Sequence, residues 1–310
     1  MKLRLFITGG NGFIARNLIE NLSKKYFILS PSHKELELTN EQQVIDFFKS
    51  HRIDVVIHCA NIGGTKKTIT IPNIVEINLK IFINLLNCKK YYKKMIYFGS
   101  GAEYDKRNNL TQVKEKDFGK NMPMDSYGFY KYVCSKLIEK EKNIINLRLF
   151  GVYGKYEDYE TRFISYAICR MLLNKPINIK KNIFFDYLYI NDLVKIVDYF
   201  IENKVQHKFY NIGRGFSMDI KSIAHLIIKL SSKNIPLNIG SKDLNNEYTC
   251  DVSRLKSTIK KLEYTDFPAS IKEMINYYQS MILILKQSPN LNKQSKRNSY
   301  TTQIFSPLLI

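Results

Sequence analysis

The sequence predicts an α/β protein, a doubly wound parallel sheet with a smaller interleaved C-terminal lobe. Two observations predict it. Apolar, strand-like runs alternate five times with helix-like segments in the first half of the chain, which is the pattern of repeated strand–helix–strand units. The strand-like runs are also continuously apolar, as in Val55–Ile57, and this is typical of strands covered on both faces.

The elements are predicted in the following order. The strands are expected at Leu3–Thr8, Phe27–Ser30, Val55–Ala60, Met95–Ser100 and Ile145–Phe150. The helices between them carry apolar residues at helical spacing and are expected at Phe13–Lys24, Glu41–Ser50, Asn73–Tyr91 and Tyr127–Lys142. After Gly154 the alternation loosens, and we expect a short strand at Tyr187–Ile190 and helices at Asp192–Asn203, Ile220–Ser231 and Ser270–Lys286.

The composition is that of a soluble globular protein, with 45% hydrophobic and 25% charged residues. No apolar run reaches the ~18 residues that a membrane-spanning helix needs. The first strand meets Gly9 and Gly10 at once, which does not fit a signal peptide. Five scattered cysteines without a C-x-x-C pair argue against disulfides and a metal site. We therefore expect a cytoplasmic protein with no membrane span and no metal.

The net charge of +20, from 48 Lys+Arg against 28 Asp+Glu, is the unusual bulk property. A basic chain can bind nucleic acid, anionic lipid or a polyanionic small molecule. Here the lysines are dispersed along a chain that is rich in Lys, Asn and Ile throughout, so we expect no nucleic-acid partner. A basic cleft for a nucleoside diphosphate is compatible with the charge.

A glycine-rich turn, T-G-G-N-G-F-I-A at Thr8–Ala15, follows the first strand and opens the first helix. Gly9 permits a tight turn, Gly12 lets the backbone approach a pyrophosphate, and the start of the helix offers free N–H groups to phosphate. This strand–turn–helix context predicts a Rossmann dinucleotide-binding sheet. The expected cofactor contacts in this turn are Gly9, Asn11, Gly12, Phe13 and Ile14.

The segment after the second strand bears on which cofactor is bound. It contains Ser32, His33 and Lys34 and has no carboxylate before Glu35. A carboxylate at this place would bind the adenosine ribose of NAD, whereas hydroxyl and basic side chains suit a 2′-phosphate. We therefore expect these three residues to bind NADPH, with NADH as the alternative.

Tyr127 and Lys131 form a Y-x-x-x-K pair at the start of a helix, and the i, i+4 spacing places both side chains on one face. A neighbouring ammonium favours the phenolate and brings the tyrosine pKa towards the working range. Lys131 can also hold the nicotinamide ribose. Ser100 ends the fourth strand, at the edge where open α/β sheets bind ligands, and can polarise a substrate oxygen. We expect these three residues to be catalytic.

Together the motifs resemble the extended short-chain dehydrogenase/reductases of the nucleotide-sugar epimerase/dehydratase family. The motifs, in chain order, are the glycine-rich turn, Asp54–Asn61, Asn78, Phe98–Tyr104, Y-G-F-Y-K, Arg148–Gly154, Asp186–Leu193 and Tyr210–Gly213. The resemblance covers residues 1–285, and Ala60–Gly64 and Glu35–Leu38 resemble the GDP-fucose synthase branch most. It implies further cofactor contacts at Ala60, Asn61 and Asn78, a nucleoside-diphosphate sugar as substrate, and a homodimer.

The resemblance also implies a domain organisation. Residues 1–155 and about 187–212 are expected to form the dinucleotide-binding domain, and residues 156–186 and 213–286 the substrate lobe. The polar tail at 287–310 is expected to be disordered.

Accessory residues narrow the reaction. Dehydratases of this family carry an Asp-Glu pair where this chain has Gly101 and Ala102, and GDP-fucose synthases use a Cys and a His at positions that correspond to Ala102 and Phe163. None of these residues can act as an acid or base. The resemblance therefore implies a simple reduction of a ketone at C4 of the sugar, with Ser100, Gly101 and Ala102 near the substrate.

Two further departures affect the diphosphate. The arginine that often binds it is Phe185 here, and a common Asn is Gly151. The diphosphate is expected to be bound instead by basic residues from the set Arg162, Lys180, Lys181, Arg214 and Arg254, of which Arg162, Lys180 and Arg254 are the first choices.

The expected function is a dTDP-4-dehydro-6-deoxyglucose reductase of the dTDP-fucose type, acting in the synthesis of a surface polysaccharide such as O-antigen or capsule. Three alternatives remain open. The substrate can be linked to GDP or CDP, the enzyme can be a 4-epimerase with retained NAD, or the chain can be a non-catalytic scaffold that senses the cofactor.

Overall fold

The structure is a computed structural model that describes residues 2–64, 71–240 and 244–287. The strands are β1 Arg4–Thr8, β2 Phe27–Leu29, β3 Val55–His58, β4 Lys94–Ser100, β5 Leu110–Val113, β6 Ile144–Leu149, β7 Gly151–Tyr153, β8 Ile177–Ile179, β9 Asn182–Tyr189, β10 Phe209–Ile212, β11 Ser217–Asp219, β12 Leu237–Ile239 and β13 Leu244–Cys250. The α-helices are α1 Phe13–Leu22, α2 Glu41–Ser50, α3 Ile74–Asn87, α4 Ser126–Ile138, α5 Phe163–Leu172, α6 Ile190–Glu202, α7 Ile220–Ser231, α8 Ser253–Thr258 and α9 Phe267–Gln287.

The main sheet has six parallel strands in the order β10-β6-β4-β3-β1-β2. Its central strands are buried along their length because helices lie on both faces. Helix α1 packs against α6, whereas α3 packs against both α2 and α4 over a shared core that includes Phe6, Phe82 and Tyr97. This arrangement confirms the predicted doubly wound α/β class.

The chain divides into two compact units. Among the described residues, the first comprises Met1–Val152, Phe185–Ser217 and Asn246–Tyr264, and the second comprises Tyr153–Phe184, Met218–Asn245 and the segment from Thr265 to Gln287. In the second unit α5 packs against α7 and α9, and β8 pairs with β12. These boundaries differ from the predicted ones chiefly at 246–264. That segment belongs to the first unit because β13 pairs with β5 and α8 packs against β10.

Several predicted elements have the bounds that periodicity indicated, and α2 and α7 match residue for residue. The predicted helix Asn73–Tyr91 ends at Asn87 and is followed by a 3₁₀ turn at Lys89–Tyr91. Helix α4 stops at Ile138 rather than Lys142, because the backbone N–H groups of Lys140 and Glu141 bond three residues back and tighten the last turn. The expected disordered tail lies outside the described residues from 288 on.

Local sequence explains how the helix that bears the Tyr-Lys pair begins. Asp125 is its N-cap, and the carboxylate accepts from the backbone N–H of Gly128 at 2.9 Å.

Within the described ranges, no helix is long and apolar enough to cross a membrane.

Candidate active site

The glycine-rich turn between β1 and α1 has the backbone shape that a phosphate cradle needs. Gly9 has a φ of +68°, and a Cβ at this residue would lie 2.8 Å from the Cα of Ala60. Gly12 donates its backbone N–H to the carbonyl of Gly9 at 2.8 Å and is the N-cap of α1, which no side chain caps within the described residues. The first N–H groups of α1 are therefore left for a ligand, and the turn fits a dinucleotide pyrophosphate.

Replacing Gly9 with alanine should raise the dissociation constant of NADPH about tenfold or more, because the new methyl group displaces the turn from Ala60. The matched control is Gly119→Ala. Gly119 also has a positive φ, +90°, but its Cβ would meet only the Lys136 ammonium at 3.7 Å. Titration of NADPH by fluorescence should show weaker binding for the first variant alone, and equal affinity in both variants would contradict the cradle.

Thr8 fixes the ends of β1 and β3 beside this turn. Its Oγ1 accepts from the backbone N–H of Cys59 at 3.1 Å and of Ala60 at 3.0 Å, so its own proton is donated to His58 Nδ1 at 2.9 Å. Burial lowers the pKa of His58 to about 3, with the Lys131 charge as a second cause. His58 is thus a neutral, packed histidine that holds the sheet edge.

The loop after β3 is held by two further side chains. Tyr130 of α4 donates its hydroxyl to Asn61 Oδ1 at 2.8 Å. Asn78 of α3 accepts from the backbone N–H of Ile62 at 2.9 Å and donates to the carbonyls of Ile62 and Ile74, both at 2.7 Å. The carboxamide of Asn78 is therefore engaged with backbone, and a role in cofactor binding would act through the shape of this loop.

The loop after β2 contains the three residues expected to bind a 2′-phosphate. The carboxylate of Glu35 folds back and accepts from the backbone N–H of Ser32 at 2.7 Å. His33 is well exposed, and its Nδ1 lies 2.9 Å from the carboxylate of Glu37. Carboxylates and basic groups therefore stand together in this loop.

Ser100, Tyr127 and Lys131 all lie in the first compact unit. Ser100 ends β4, and its hydroxyl accepts from the backbone N–H of Ala102 at 3.1 Å as the N-cap of a 3₁₀ turn at Gly101–Tyr104. That bond leaves the hydroxyl proton for a substrate oxygen. Lys131 is buried and donates to the carbonyl of Phe98, which lies on β4 like Ser100. Its ammonium lies 5.9 Å from the centre of the half-buried Tyr127 ring.

Burial lowers the pKa of Lys131 from 10.5 to about 8, while the fields of Cys134, Glu103 and Cys59 act in the opposite direction. Lys131 is therefore a cation at neutral pH and becomes neutral within the range in which enzymes are assayed. A cation close to a phenol favours its ionised form and makes Tyr127 a better proton donor.

The rate of proton transfer by Tyr127 should fall as pH rises through about 8, because Lys131 loses its charge there and the tyrosine becomes a weaker acid. The measurement is kcat for the expected ketone reduction against pH from 6 to 10. Lys136→Met is the control, since Lys136 is an exposed lysine on the same helix that pairs with Glu139 at 3.0 Å, and it should leave the profile unchanged. A kcat that stays constant to pH 10 would contradict the role of Lys131.

The structure adds contacts that the motifs did not indicate. A Cβ at Gly64 would lie 3.0 Å from the Tyr127 ring, so the Gly63–Gly64 backbone, with both φ values positive, packs against the phenol. The Lys106 ammonium lies 5.7 Å from the centre of the same ring. The glycine pair was visible in the sequence, but nothing local to it indicates contact with a helix 63 residues later.

Gly101 and Ala102 are buried beside Ser100. A Cβ at Gly101 would lie 2.6 Å from the Tyr248 hydroxyl and 2.7 Å from the Phe150 ring, so this position has no room for a side chain. An acidic side chain at Gly101, one of the two positions where dehydratases of the family carry an acid, would therefore clash with Tyr248 and Phe150.

The basic residues expected at the diphosphate do not lie together in one unit. Arg254 belongs to the first unit, where it donates to the carbonyl of Phe209 at 2.9 Å and lies 3.8 Å from Glu115. Arg162, the N-cap of α5, and Lys180, in the turn between β8 and β9, belong to the second unit. Among the described residues, no group of three or more His, Cys, Asp or Glu side chains could hold a metal ion.

Comparison with known proteins gives a match to a protein family. The model of the NAD dependent epimerase/dehydratase family matches residues 5–213, more than half of the 310-residue chain. The GDP-L-colitose synthase of Yersinia pseudotuberculosis is 25% identical over 254 residues, which cover 74% of this chain and 82% of the relative. An ADP-L-glycero-D-manno-heptose-6-epimerase of Brachyspira hyodysenteriae is 25% identical over 256 residues, which cover 71% and 79%.

Solved structures match over most of the chain. The UDP-glucose 4-epimerase of Thermotoga maritima has a TM-score of 0.78 at 20% identity and covers 90% of this chain and 100% of its own. A GDP-mannoheptose C4 reductase of Campylobacter jejuni with NADP bound has a TM-score of 0.76 at 22% identity and covers 90% and 98%. At these identities the likeness is one of fold, and it agrees with the Rossmann sheet predicted from the glycine-rich turn.

Proposed function

The chain belongs to the NAD dependent epimerase/dehydratase family, as its motifs predicted, and we propose that it reduces the C4 ketone of a nucleotide-linked 4-keto-6-deoxy sugar. Its relatives and structural neighbours include NAD(P)-dependent nucleotide-sugar reductases, epimerases and dehydratases, which confirms the predicted enzyme class. The observation that carries the reductase proposal is the neighbourhood of Ser100: Tyr127 and Lys131 are present, whereas Gly101 and Ala102 supply no acid or base.

Each residue has one role in this proposal. Tyr127 donates its proton to the C4 oxygen as the carbonyl becomes an alcohol. Lys131 makes the phenol a better acid and binds the nicotinamide ribose, and Ser100 donates a hydrogen bond to the oxygen on which negative charge develops. NADPH, when bound, supplies the hydride. The Gly9–Gly12 turn and the start of α1 hold its pyrophosphate, with Asn11, Phe13 and Ile14 beside it.

The proposal for the cofactor is NADPH, with Ser32, His33 and Lys34 around the 2′-phosphate. The three residues lie in one loop at the end of β2, which supports this role. Glu35 lies in the same loop and accepts from the backbone N–H of Ser32, which keeps NADH as the alternative. The ratio of KM values for the two cofactors distinguishes them.

The proposed substrate is the dTDP-linked 4-keto-6-deoxyglucose predicted from the sequence, and a GDP-linked sugar is the alternative candidate. The names of three matched proteins support the GDP-linked form: a GDP-L-colitose synthase, a GDP-mannoheptose C4 reductase and a GDP-6-OMe-4-keto-L-xylo-heptose reductase. Arg162, Lys180 and Arg254 remain the proposed diphosphate contacts. A role in surface-polysaccharide synthesis, a cytoplasmic location and a homodimer also remain predictions.

A 4-epimerase with retained NAD is the second candidate, because it would use Ser100, Tyr127 and Lys131 in the same positions. A fold shared with a UDP-glucose 4-epimerase at a TM-score of 0.78 supports considering it.

The deciding experiment mixes the purified protein with NADPH and dTDP-, GDP- or CDP-linked 4-keto-6-deoxy sugars. A reductase consumes one NADPH for each 6-deoxyhexose formed, on at least one of the three. In a parallel reaction the protein is given the corresponding 4-hydroxy sugar nucleotides without added cofactor, and interconversion of their C4 epimers there would establish the epimerase instead. Cofactor binding without turnover in either reaction would establish the scaffold.

A further inference from the structure

We propose that Glu103 is a positioning residue for the ketone reduction proposed above, on which this inference rests. Its carboxylate joins the strand end that carries Ser100 to the helix that carries Tyr127 and Lys131.

Glu103 lies in the 3₁₀ turn after Ser100 and is fully buried. One carboxylate oxygen accepts from the backbone N–H of Ser100 at 3.0 Å. The other accepts from the hydroxyl of Ser135 on α4 at 2.5 Å and from Nε of Arg148 on β6 at 2.7 Å. A single side chain therefore links the end of β4, the helix α4 and the strand β6.

The neighbouring glycine has the size that this arrangement requires. A Cβ at Gly99 would lie 2.3 Å from Oε1 of Glu103 and 2.2 Å from Oδ1 of Asn146. Any larger residue there would push the carboxylate away from the backbone of Ser100. In the sequence F-G-S-G-A-E, the first glycine, Gly99, therefore leaves room for the Glu103 carboxylate beside the backbone of Ser100.

Helix α4 is held against the same 3₁₀ turn at two points. Ser135 lies one helical turn beyond Lys131 and two beyond Tyr127, on the same face of the helix. At the other end of α4, a Cβ at Gly128 would lie 2.8 Å from the carbonyl oxygen of Ala102, so helix and turn are in backbone contact. These two contacts fix the position of α4, and with it the side chains of Tyr127 and Lys131, relative to the end of β4.

A buried ion pair is a costly way to hold elements together, because apolar side chains of similar size often stabilise a protein as well or better. Arg148 is 1% exposed, stacks on the ring of Phe118 at 4.2 Å and donates to the Tyr104 hydroxyl at 3.0 Å. An apolar pair could fill this space, but it could not accept from β4 and α4 at once. Misplacement of reacting groups by about 1 Å can cost a hundredfold in rate, so this rigidity is of direct use.

The carboxylate also acts on the charge of Lys131. The titratable side chains around this ammonium are Tyr97, Tyr127 and Tyr130, whose rings lie within 6 Å of it, the thiols of Cys59 and Cys134, the imidazole of His58 and the carboxylate of Glu103. Glu103 is the one carboxylate in this set, and its field raises the pKa of Lys131 against the effect of burial. Loss of its charge, with Arg148 left in place, lowers that pKa further.

Two variants separate position from charge. Ser135→Ala removes the link to α4 and keeps the charge, so kcat should fall about tenfold while the alkaline limb of the pH profile stays in place. Glu103→Gln keeps an acceptor for the Ser100 backbone and removes the charge, so kcat should fall and the alkaline limb should move to lower pH. KM for NADPH should change less than kcat in both.

Ser165→Ala is the control for loss of a buried serine hydroxyl, because Ser165 is also buried and bonds to a buried carboxyl group, that of Glu157, at 2.6 Å in the other compact unit. It should lose a similar amount of unfolding free energy as Ser135→Ala and keep its kcat. If Ser135→Ala behaves as this control does, Glu103 has only a structural role and the inference is overturned, whether or not Glu103→Gln folds.

One measurement is independent of the reaction. Lys131 can be titrated by NMR of protein that carries ¹³C at the lysine ε-carbon, where its signal is the one that a Lys131→Met variant lacks. In the Glu103→Gln background the pKa of Lys131 should fall, because the carboxylate field that raises it is lost, and an unchanged pKa would overturn the charge effect. If the unmutated protein reduces no 4-keto sugar but this shift is seen, the proposed function fails and the role of Glu103 stands.

Discussion

Replacing Tyr127 with phenylalanine should lower kcat for ketone reduction about a thousandfold, the range of a lost general acid. The ring that packs against Gly63–Gly64 remains, and only the hydroxyl that donates the proton is lost. Affinity for NADPH should stay within about twofold, because the pyrophosphate is held by the Gly9–Gly12 turn and the start of α1. The measurement is steady-state NADPH oxidation together with a fluorescence titration of the cofactor.

Tyr132→Phe is the matched control for this variant. Tyr132 lies on the same helix and its ring packs on that of Phe118 at 4.9 Å, so loss of its hydroxyl should leave kcat unchanged. Equal kcat values for Tyr127→Phe and the unmutated protein would remove Tyr127 from the mechanism.

Replacing Arg148 with methionine should lower the free energy of unfolding by about 3–5 kcal/mol, because it leaves the Glu103 carboxylate buried without its cation. Urea denaturation followed by circular dichroism measures this loss. The double variant Glu103→Gln/Arg148→Met removes both charges and should recover most of the stability. Its recovered stability makes it useful for separating folding from catalysis.

Arg52→Met is the surface control for this prediction. Arg52 is 60% exposed and lies 3.8 Å from Asp54, so its loss should change the free energy of unfolding by about 1 kcal/mol or less. If Arg148→Met lowers the free energy of unfolding by no more than this, the buried Glu103–Arg148 pair does not stabilise the fold more than a surface ion pair does.

The parts of the site that could be predicted depend on local chemistry. Gly9 was identifiable because a turn between a strand and a helix needs a residue with positive φ, and the structure gives it +68°. The Tyr127–Lys131 pair was identifiable because four residues make about one helical turn, and Ser100 because a strand end in a parallel sheet faces the ligand edge.

The parts that could not be predicted depend on contacts between distant segments. β13 pairs with β5 more than 130 residues earlier in the chain, and nothing in the polar run L-N-N-E-Y-T-C indicates a strand. Glu103 was visible beside Ser100, but only its burial and its bond to Ser135 show that it faces inward. A signal did exist in Arg148, since a charged residue in the apolar run I-I-N-L-R-L requires a buried partner.

Phe185 stands where an arginine often binds the diphosphate, and the structure shows what its side chain contacts instead. Its ring packs on those of Tyr187 and Tyr248 at 5.4 and 5.7 Å, so this position belongs to an aromatic cluster rather than to a charged site. The sequence could show that the cation is missing, but one of the two aromatic partners, Tyr248, comes from a strand that it did not reveal.

The most direct test of the proposed reaction follows the hydrogen itself. The protein is given NADPH that carries deuterium at the transferable position of the nicotinamide, together with the 4-keto sugar nucleotide that it consumes, and the product is analysed by mass spectrometry and NMR. We expect one deuterium at C4 of the sugar for each NADPH oxidised. A product without deuterium at C4 would contradict the reduction, and enzyme-dependent uptake of deuterium at C3 or C5 when unlabelled NADPH is used in D₂O would contradict a simple C4 reduction by Ser100, Tyr127 and Lys131.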